Sequence, residues 1–380
     1  MRRLHQADYD AYLVGGAVRD LLLGGHPKDF DVATNATPEQ VKSLFSNGRI
    51  IGRRFQIVHV RFGREIIEVT TFRGGHENAK TNKQQSTQSK SGMLLRDNVY
   101  GTLEEDAIRR DLTINALYYD SRDFTVHDFA DGLNHLEQRL ICVIGEPETR
   151  YREDPVRMLR VLRFAAKLEF DLTEDCAEPI ERLGHLIKDV PAARMFDEVL
   201  KLMMAGYGIH CFDLLREYKL FSMLFPQTND TIESGDKAGL LLLEQGLINT
   251  DDRIQAGKPV TPAYLFAVLL WPPVREMWQQ LKSEGVPDIP ALHQAAQIVL
   301  ERQQQQISIP KRFSMPMRDI WEMQYRLTQR QGRRGYAALE HRYFRAGYDF
   351  LLLREDAGEL KPGLGDWWTS FQQADTDEQA

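Results

Sequence analysis

Tyr12-Leu13-Val14-Gly15-Gly16-Ala17-Val18-Arg19-Asp20, followed closely by Lys28-Asp29-Phe30-Asp31-Val32, is the stretch that decides how this chain folds. An apolar strand runs into a glycine pair, Arg-Asp follows, and two aspartates one residue apart open a second apolar run. Glycines let backbone N–H groups approach a triphosphate closely, and Arg19 supplies positive charge beside it. On a strand, Asp29 and Asp31 share one face roughly 6–7 Å apart along it, so both can hold Mg2+. Each half alone has an ordinary explanation, a Gly-Gly turn and a solvated strand end. Together, at this short spacing, they imply metal-dependent nucleotidyl-transfer chemistry.

Working outward, the 380 residues are enough for two or three domains and a large core. With 42% hydrophobic and 27% charged residues, the composition is that of an ordinary globular protein. No run of 18 or more apolar residues and no apolar segment behind a basic start is present, which argues against a membrane span or a secretory signal. Cys142, Cys176 and Cys211 are isolated, in no zinc-type spacing, and fit a reducing cytoplasm. The net charge of −7 argues mildly against nucleic acid, but from Glu301 to Arg354 there are 11 Lys/Arg against 5 Asp/Glu, a local charge of +6. A basic C-terminal region on an acidic chain suits a phosphate backbone laid on one surface.

The first ~130 residues alternate short strands and helices. Ala11–Val14 and Phe30–Ala33 are of strand length, and Thr37-Pro38-Glu39-Gln40 is a helix start with Thr37 as N-cap and Gln40 reaching back. Ile57–Phe62 and Glu65–Phe72 form a hairpin about Gly63-Arg64. Strands this close together give an antiparallel or mixed sheet. Gly74 to Gly92 is polar and of low complexity, and is expected to be a mobile loop. From about Leu136 the pattern is helical, as in Pro155–Leu168, Ala192–Ala205 and Ile209–Leu220. A polar stretch within Asn229–Pro259 offers a boundary, and the last residues look frayed.

Further residues are candidates for chemistry. Glu68 interrupts the apolar run of its strand with no neighbouring Lys or Arg; it is either a third carboxylate beside the metal pair or a residue of an edge strand facing water. In Leu103–Ala116, Arg109 and Arg110 can pair with phosphates, and Asp111 and Asn115 can hydrogen-bond a ribose or base. Asp106 and Arg110 also make an i,i+4 pair of the kind any charged helix carries. A helix starting at Pro155 with Asp154 as N-cap presents Arg157, Arg160 and Arg163 every third residue, either toward an anionic ligand or as surface arginines balanced by Glu153. Lys311-Arg312, Arg330, Arg333-Arg334, Arg342 and Arg345 are interleaved with Trp321, Tyr325, Tyr336, Tyr343 and Phe344, which suits single-stranded RNA or a solvated helix face.

In this order, Gly15-Gly16-Ala17-Val18-Arg19-Asp20 with Asp29-Phe30-Asp31, then Arg109-Arg110-Asp111, then Glu153-Asp154-Pro155-Val156-Arg157, resemble the class II nucleotidyltransferases, the group of the tRNA CCA-adding enzymes and bacterial poly(A) polymerases. Gly52-Arg53-Arg54-Phe55, the run Leu94–Asn98, Tyr151–Arg160, Phe164–Leu168, Ile309–Arg312 and Met317–Trp321 are similar to the polymerase branch, over roughly residues 9–372. The resemblance implies an α+β nucleotidyltransferase head with a mixed or antiparallel sheet over 1–135, an all-α neck over 136–225, a helical RNA-binding body over 226–372 and a frayed tail over 373–380. It implies Mg2+ on Asp29 and Asp31, as two ions or with Mn2+ in their place. Glu68 matches the strand carboxylate of CCA-adding relatives, while Asp106 sits in the charged helix of the polymerase branch, so the third catalytic position stays open between them. It places triphosphate at Gly15, Gly16 and Arg19, and nucleotide contacts at Arg110, Asp154 and Arg157; Arg109, Asp111, Asn115 and Arg160 join the nucleotide-site candidates on the reading of the residues above. The activity implied is template-independent addition of AMP from ATP to single-stranded RNA 3′ ends in the cytoplasm, with RNA-decay proteins as partners and no transmembrane segment. CCA addition to tRNA and a non-catalytic RNA-binding role on the same scaffold are the alternatives. One departure is that such polymerases often end in a long Arg/Lys-rich tail, whereas this sequence closes on an acidic stretch.

Overall fold

The computed structural model describes residues 1–52, 56–74, 86–88, 94–97 and 99–373, with 86–88 and 94–97 described by their backbone alone. The chain divides into two compact units, Met1–Leu183 and Gly184–Ala380. Neither of the expected limits, 135/136 and 225/226, coincides with that division.

In the first unit a short helix, α1 (Arg2–His5), precedes β1 (Ala11–Val14), α2 (Gly16–Leu22), β2 (Asp31–Thr34), α3 (Pro38–Leu44), β3 (Gly48–Ile51), β4 (Ile57–Phe62) and β5 (Glu65–Thr71). After these come β6 (Ser86–Gln88), β7 (Leu94–Asp97), α4 (Leu103–Ile108), β8 (Leu117–Tyr119) and β9 (Val126–Asp128). Seven strands form one sheet in the order β3-β4-β5-β2-β1-β8-β9. Its β2–β5 pair is parallel and the other pairs are antiparallel, so the sheet is mixed, as expected. The Thr37 capping box forms as read from the sequence, Thr37 accepting from the Gln40 N–H and Gln40 from the Thr37 N–H.

Two expectations are corrected. β2 begins at Asp31, so Asp29 lies on the exposed lead-in to the strand rather than within it. Of the expected mobile loop from Gly74 to Gly92, Ser86–Gln88 instead pairs antiparallel with Leu94–Asp97; residues 75–85 and 89–93 lie outside the described residues, as do Arg53–Phe55, Asn98 and 374–380.

Strand alternation places the core on both faces of the sheet. Ala11, Val32, Val58, Val60 and Val69 pack with Leu4, Val41 and Phe45 on one face. Tyr12, Val14, Ala33 and Tyr118 pack with Phe72, Ala107 and Ile144 on the other. The unit ends in α5 (Gly132–Gln138), α6 (Pro147–Glu153), α7 (Val156–Leu168) and α8 (Glu174–Leu183). α7 starts one residue later than expected, so its N-cap is Pro155 and not Asp154; the Asp154 carboxylate, at the end of α6, accepts from the Val156 N–H at 3.3 Å.

The second unit is helical: α9 (Ala192–Met203), α10 (Gly208–Glu217), α11 (Phe221–Leu224), α12 (Pro226–Glu233), α13 (Lys237–Gln255), α14 (Pro262–Ser283), α15 (Asp288–Gln303), α16 (Lys311–Arg326), α17 (Arg333–Leu339), α18 (Phe344–Asp356) and α19 (Leu364–Gln373). The polar stretch read as a boundary becomes the 19-residue α13, which buries Leu242, Leu243 and Leu247 within this unit. Trp271 on α14 and Trp321 on α16 are fully buried, each indole N–H finding an acceptor, on Glu359 at 2.8 Å and on the Ala267 carbonyl at 3.0 Å. Among the described residues no helix is long and apolar enough to cross a membrane.

Candidate active site

One row of residues crosses the sheet. Strand register pairs His59 with Glu68, Glu68 with Asp31, Asp31 with Val14, and Val14 with Tyr118. Side chains on directly paired residues share a face, so His59, Glu68, Asp31 and Tyr118 project from the same side. Because β1 and β2 are antiparallel, the end of β1 leading into Gly15 meets the beginning of β2 at Asp31.

Glu68 is not on an edge strand: β5 lies between β4 and β2. Its partner is His59 Nε2, 3.0 Å from Glu68 Oε1. Burial pushes the Asp31 carboxyl above its ordinary range, the negative charges of Glu68 and Asp29 add to the rise, and Arg110 opposes it. Two carboxylates therefore act on Asp31, with one guanidinium against them. Among the described residues, no group of three or more His, Cys, Asp or Glu is gathered closely enough to enclose a metal ion. The donor chemistry nevertheless fits Mg2+: hard carboxylate oxygens carrying an excess of negative charge that a divalent cation would offset.

Gly15 has φ +76°, a left-handed conformation that glycine takes without strain, and a Cβ there would lie 3.5 Å from Arg110 Nη1. No side chain caps the start of α2, which leaves first-turn N–H groups such as those of Gly16 and Ala17 open to an anion. Arg19 is buried beneath this turn. It donates to Asn115 Oδ1 at 2.5 Å and to Asp20 Oδ1 at 2.8 and 2.6 Å, and its guanidinium carbon lies 5.1 Å from the Phe164 ring centroid. A Cβ on Gly16 would come within 3.4 Å of Arg19 Nη2. Lys167 reaches Asp20 at 3.6 Å; burial and the nearby Arg19 charge lower its pKa.

Arg110 is held by two groups. Its Nε donates to the Tyr118 hydroxyl at 2.8 Å and its Nη2 to Asp106 at 3.3 Å, while Tyr118 donates to Asp106 at 2.6 Å. Burial works against the Arg110 charge, but Tyr118 and Asp106 outweigh it and the guanidinium is stabilised as a cation. The expected Asp106–Arg110 pair is thus present, yet Asp106 is buried and also accepts from the Arg73 N–H at 3.0 Å. Arg109 donates to the Gly74 carbonyl at 2.5 Å.

The remaining candidates form a second cluster. Arg160 donates to Asp111 at 2.8 and 2.5 Å. Burial alone would raise the Asp111 carboxyl, but Arg160 and the Leu112 N–H hold it below its ordinary range. Arg157 donates to Glu153 at 2.7 Å and to the Arg150 carbonyl at 2.8 Å, which is the balanced arrangement read as one alternative. Arg150 donates to the carbonyls of Arg109 and Arg110 at 3.2 and 2.8 Å, tying the clusters together. Asp111 and Asn115 thus have protein partners.

Sequence reasoning missed His59, Tyr118, Lys167 and Arg150. His59 alternates with Val58 and Val60, a visible sign that it faces away from their side; nothing local marks the other three.

A mixed sheet carrying a Gly-Gly turn beside an acidic strand end defines a nucleotidyltransferase head. The comparisons give the same class. Residues 11–142 match the poly A polymerase head domain, 169–232 the "probable RNA and SrmB- binding site of polymerase A", and 284–380 the polymerase A arginine-rich C-terminus. Poly(A) polymerase I of Salmonella typhimurium LT2 is 51% identical over 382 residues, covering 99% of this chain and 82% of that one. That of Escherichia coli O6:H1 is 52% identical over 377 residues, covering 98% and 81%. The crystal structure of the Bacillus stearothermophilus CCA-adding enzyme in complex with CTP aligns with a TM-score of 0.62 at 26% identity, covering 98% of this chain and 79% of that one. The chain belongs to the poly(A) polymerase I family and is an RNA nucleotidyltransferase.

Proposed function

We propose that this enzyme extends single-stranded RNA 3′ ends with adenylates, transferring AMP from ATP without a template and releasing pyrophosphate. The observation that carries the reading is the 51% identity across 99% of the chain to a poly(A) polymerase I, against 34% across 65% of the chain to the CCA-adding enzyme of Bacillus pumilus. The Asp31–Glu68 row beside the Gly15 turn supplies the chemistry. Asp29 and Asp31 are the ligands of a two-metal site, and Glu68, oriented by His59, is the third carboxylate. Bound there, Mg2+, or Mn2+ in its place, would activate the primer hydroxyl and offset charge on the leaving pyrophosphate.

The protein's own groups position ATP. The N–H groups at Gly15 and Gly16 take the triphosphate, with the Arg19 charge beneath them and Lys167 nearby. Arg110, fixed by Asp106 and Tyr118, balances charge beside Asp31; Asp106 is a positioning residue acting through Arg110. Arg109, Asp154 and Arg157 complete the nucleotide side, and Asp111, Asn115 and Arg160 brace it. A head over 1–135, a neck over 136–225 and an RNA-binding body over 226–372 belong to the same reading, as do a cytoplasmic setting and RNA-decay partners.

The test is to incubate the pure protein with an unstructured RNA and each labelled nucleotide in turn. Long tails with ATP alone are expected. Two cytidylates and one adenylate on a tRNA lacking its terminus, without longer tails on other RNAs, would establish CCA addition. No incorporation with any nucleotide would leave a non-catalytic RNA-binding protein.

A further inference from the structure

Two cysteines far apart in the sequence meet in the first unit. β10 (Leu140–Ile141) and β11 (Asp171–Leu172) pair in parallel register, Ile141 opposite Leu172, so Cys142 and Thr173 leave the strands side by side. The Thr173 N–H donates to the Ile141 carbonyl at 3.1 Å, and the Cys176 N–H, in the first turn of α8, donates to the Thr173 carbonyl at 3.0 Å. Both sulfurs then touch the backbone of Val143. Its N–H donates to Cys176 Sγ at 3.2 Å, and the Cys142 thiol lies 3.6 Å from its carbonyl. The two thiols also hydrogen-bond to each other, and each to the Thr173 side chain.

Their settings differ. Cys176 is buried and Cys142 only half-buried. The hydrogen bond from Cys176 lowers the Cys142 pKa, outweighing burial and the negative charges of Asp175 and Asp131. The same bond, together with burial, raises the pKa of Cys176. One sulfur is therefore reachable and suited to be a nucleophile, and the other is held against it as a thiol.

We propose that Cys142 and Cys176 are a redox pair that closes to a reversible disulfide when the protein meets a peroxide. The Cys142 thiolate attacks one peroxide oxygen, the O–O bond breaks, and a sulfenic acid forms. The hydroxide that leaves takes up the proton released by the thiol. Cys176 then attacks the sulfenic sulfur, and its own proton departs with the hydroxyl as a second water. Two thiols are oxidised and one peroxide is reduced to two waters. A disulfide holds its sulfurs about 2 Å apart, so oxidation draws together two atoms that already share a hydrogen bond. A thiol reductant reverses the bond by exchange.

The chain between the two cysteines carries α6 and α7, and with them Glu153, Asp154, Arg157 and Arg160. Both ends of this loop are tied to the same cluster. The Cys142 carbonyl accepts from the Thr113 N–H at 3.0 Å, and the Asp111 carbonyl accepts from the Ile144 N–H at 3.0 Å. The Cys176 carbonyl accepts from the Tyr151 hydroxyl of α6 at 2.9 Å. The disulfide would staple the loop bearing Arg157 and Arg160 at its base and restrict its freedom in the unfolded chain.

The test treats the reduced full-length protein with hydrogen peroxide, removes the excess, and follows thiol content, intact mass, the linked peptides and the unfolding temperature. Wild type is expected to lose two of its three thiols and to become lighter by two hydrogens. The peptides holding Cys142 and Cys176 should be joined, and the unfolding temperature should rise by about 5 °C. Dithiothreitol should reverse each change. Cys142→Ser should show neither the link nor the rise; its unfolding temperature under reducing conditions reports whether it is intact, and Cys176→Ala serves as the second variant. Thiols that survive peroxide, oxygen retained on Cys142 without a link to Cys176, or a link to Cys211 instead overturns the redox pair. A linked protein that unfolds no higher than the reduced one overturns the staple.

Discussion

Arg110 in the first unit and Arg354 in the second are both arginines packed among acids, yet their surroundings balance differently. Arg354 donates to Glu359 at 2.8 and 2.6 Å and to Gln324 at 3.2 Å, while Arg275 pairs with the same Glu359 at 3.1 Å and with Asp236. Two cations meet two anions and the circuit is closed. Around Arg110 the acids are in excess: Asp106 is directly bonded to it, and Glu68 and Asp29 act on Asp31 nearby. The same residue types stabilise a fold when their charges cancel, and await a ligand when they do not.

The largest effect expected from breaking this comparison is on the open side. Asp31→Ala or Asp29→Ala should lower nucleotide addition by two to three orders of magnitude, on the order of other lost charge-stabilising groups, with the unfolding temperature nearly unchanged. Activity within tenfold of wild type for either variant would end the two-metal assignment. On the closed side, Arg354→Met should cost about 1–3 kcal/mol of stability, because Glu359 keeps Arg275 and the Trp271 indole but loses one guanidinium, and Gln324 Oε1 loses its donor. Chemical denaturation measures this; an unchanged midpoint would show the circuit to be dispensable.

Tyr118→Phe tests the coupling of Asp106 to Arg110. Two short hydrogen bonds are lost, so stability should drop by roughly 1–3 kcal/mol and kcat should fall more than the KM for ATP rises. A variant with unaltered kcat would make Tyr118 a core residue only.

The smallest expected effect has the opposite sign. Burial and Glu68 raise the Asp31 carboxyl in the folded chain, so its ionised form destabilises the fold. That cost sets in as pH rises through the ordinary Asp value of about 3.9 and is complete above the raised folded value. Without metal, Asp31→Asn should therefore unfold about 2 °C higher than wild type at pH 7, with no gain near pH 3. Added Mg2+ should raise the wild-type midpoint more than that of the variant. A lower midpoint for Asp31→Asn at pH 7 would contradict the electrostatic picture.

What was legible in the sequence was local. β1, the Thr37 capping box, the hairpin of β4 and β5, and α7 are set by neighbours within a few positions, and each forms within a residue or two of where alternation and capping put it. The acidic strand and glycine turn were legible for the same reason. Glu68 had two readings because nothing local says which strands flank β5; the parallel pairing with β2 decides that, and it also exposes His59 as its partner. Asp111 and Asn115 suggested ligand contacts because their partners, Arg160 and Arg19, lie far along the chain.

The β2–β5 pairing also bears on the order in which the protein is made. Asp29 and Asp31 leave the ribosome early, but Glu68 is brought beside Asp31 only once the β4–β5 hairpin has closed and docked in parallel register, a non-local step of the kind that folds slowly. A nascent chain that stops short of β5 therefore carries the aspartates without the assembled row.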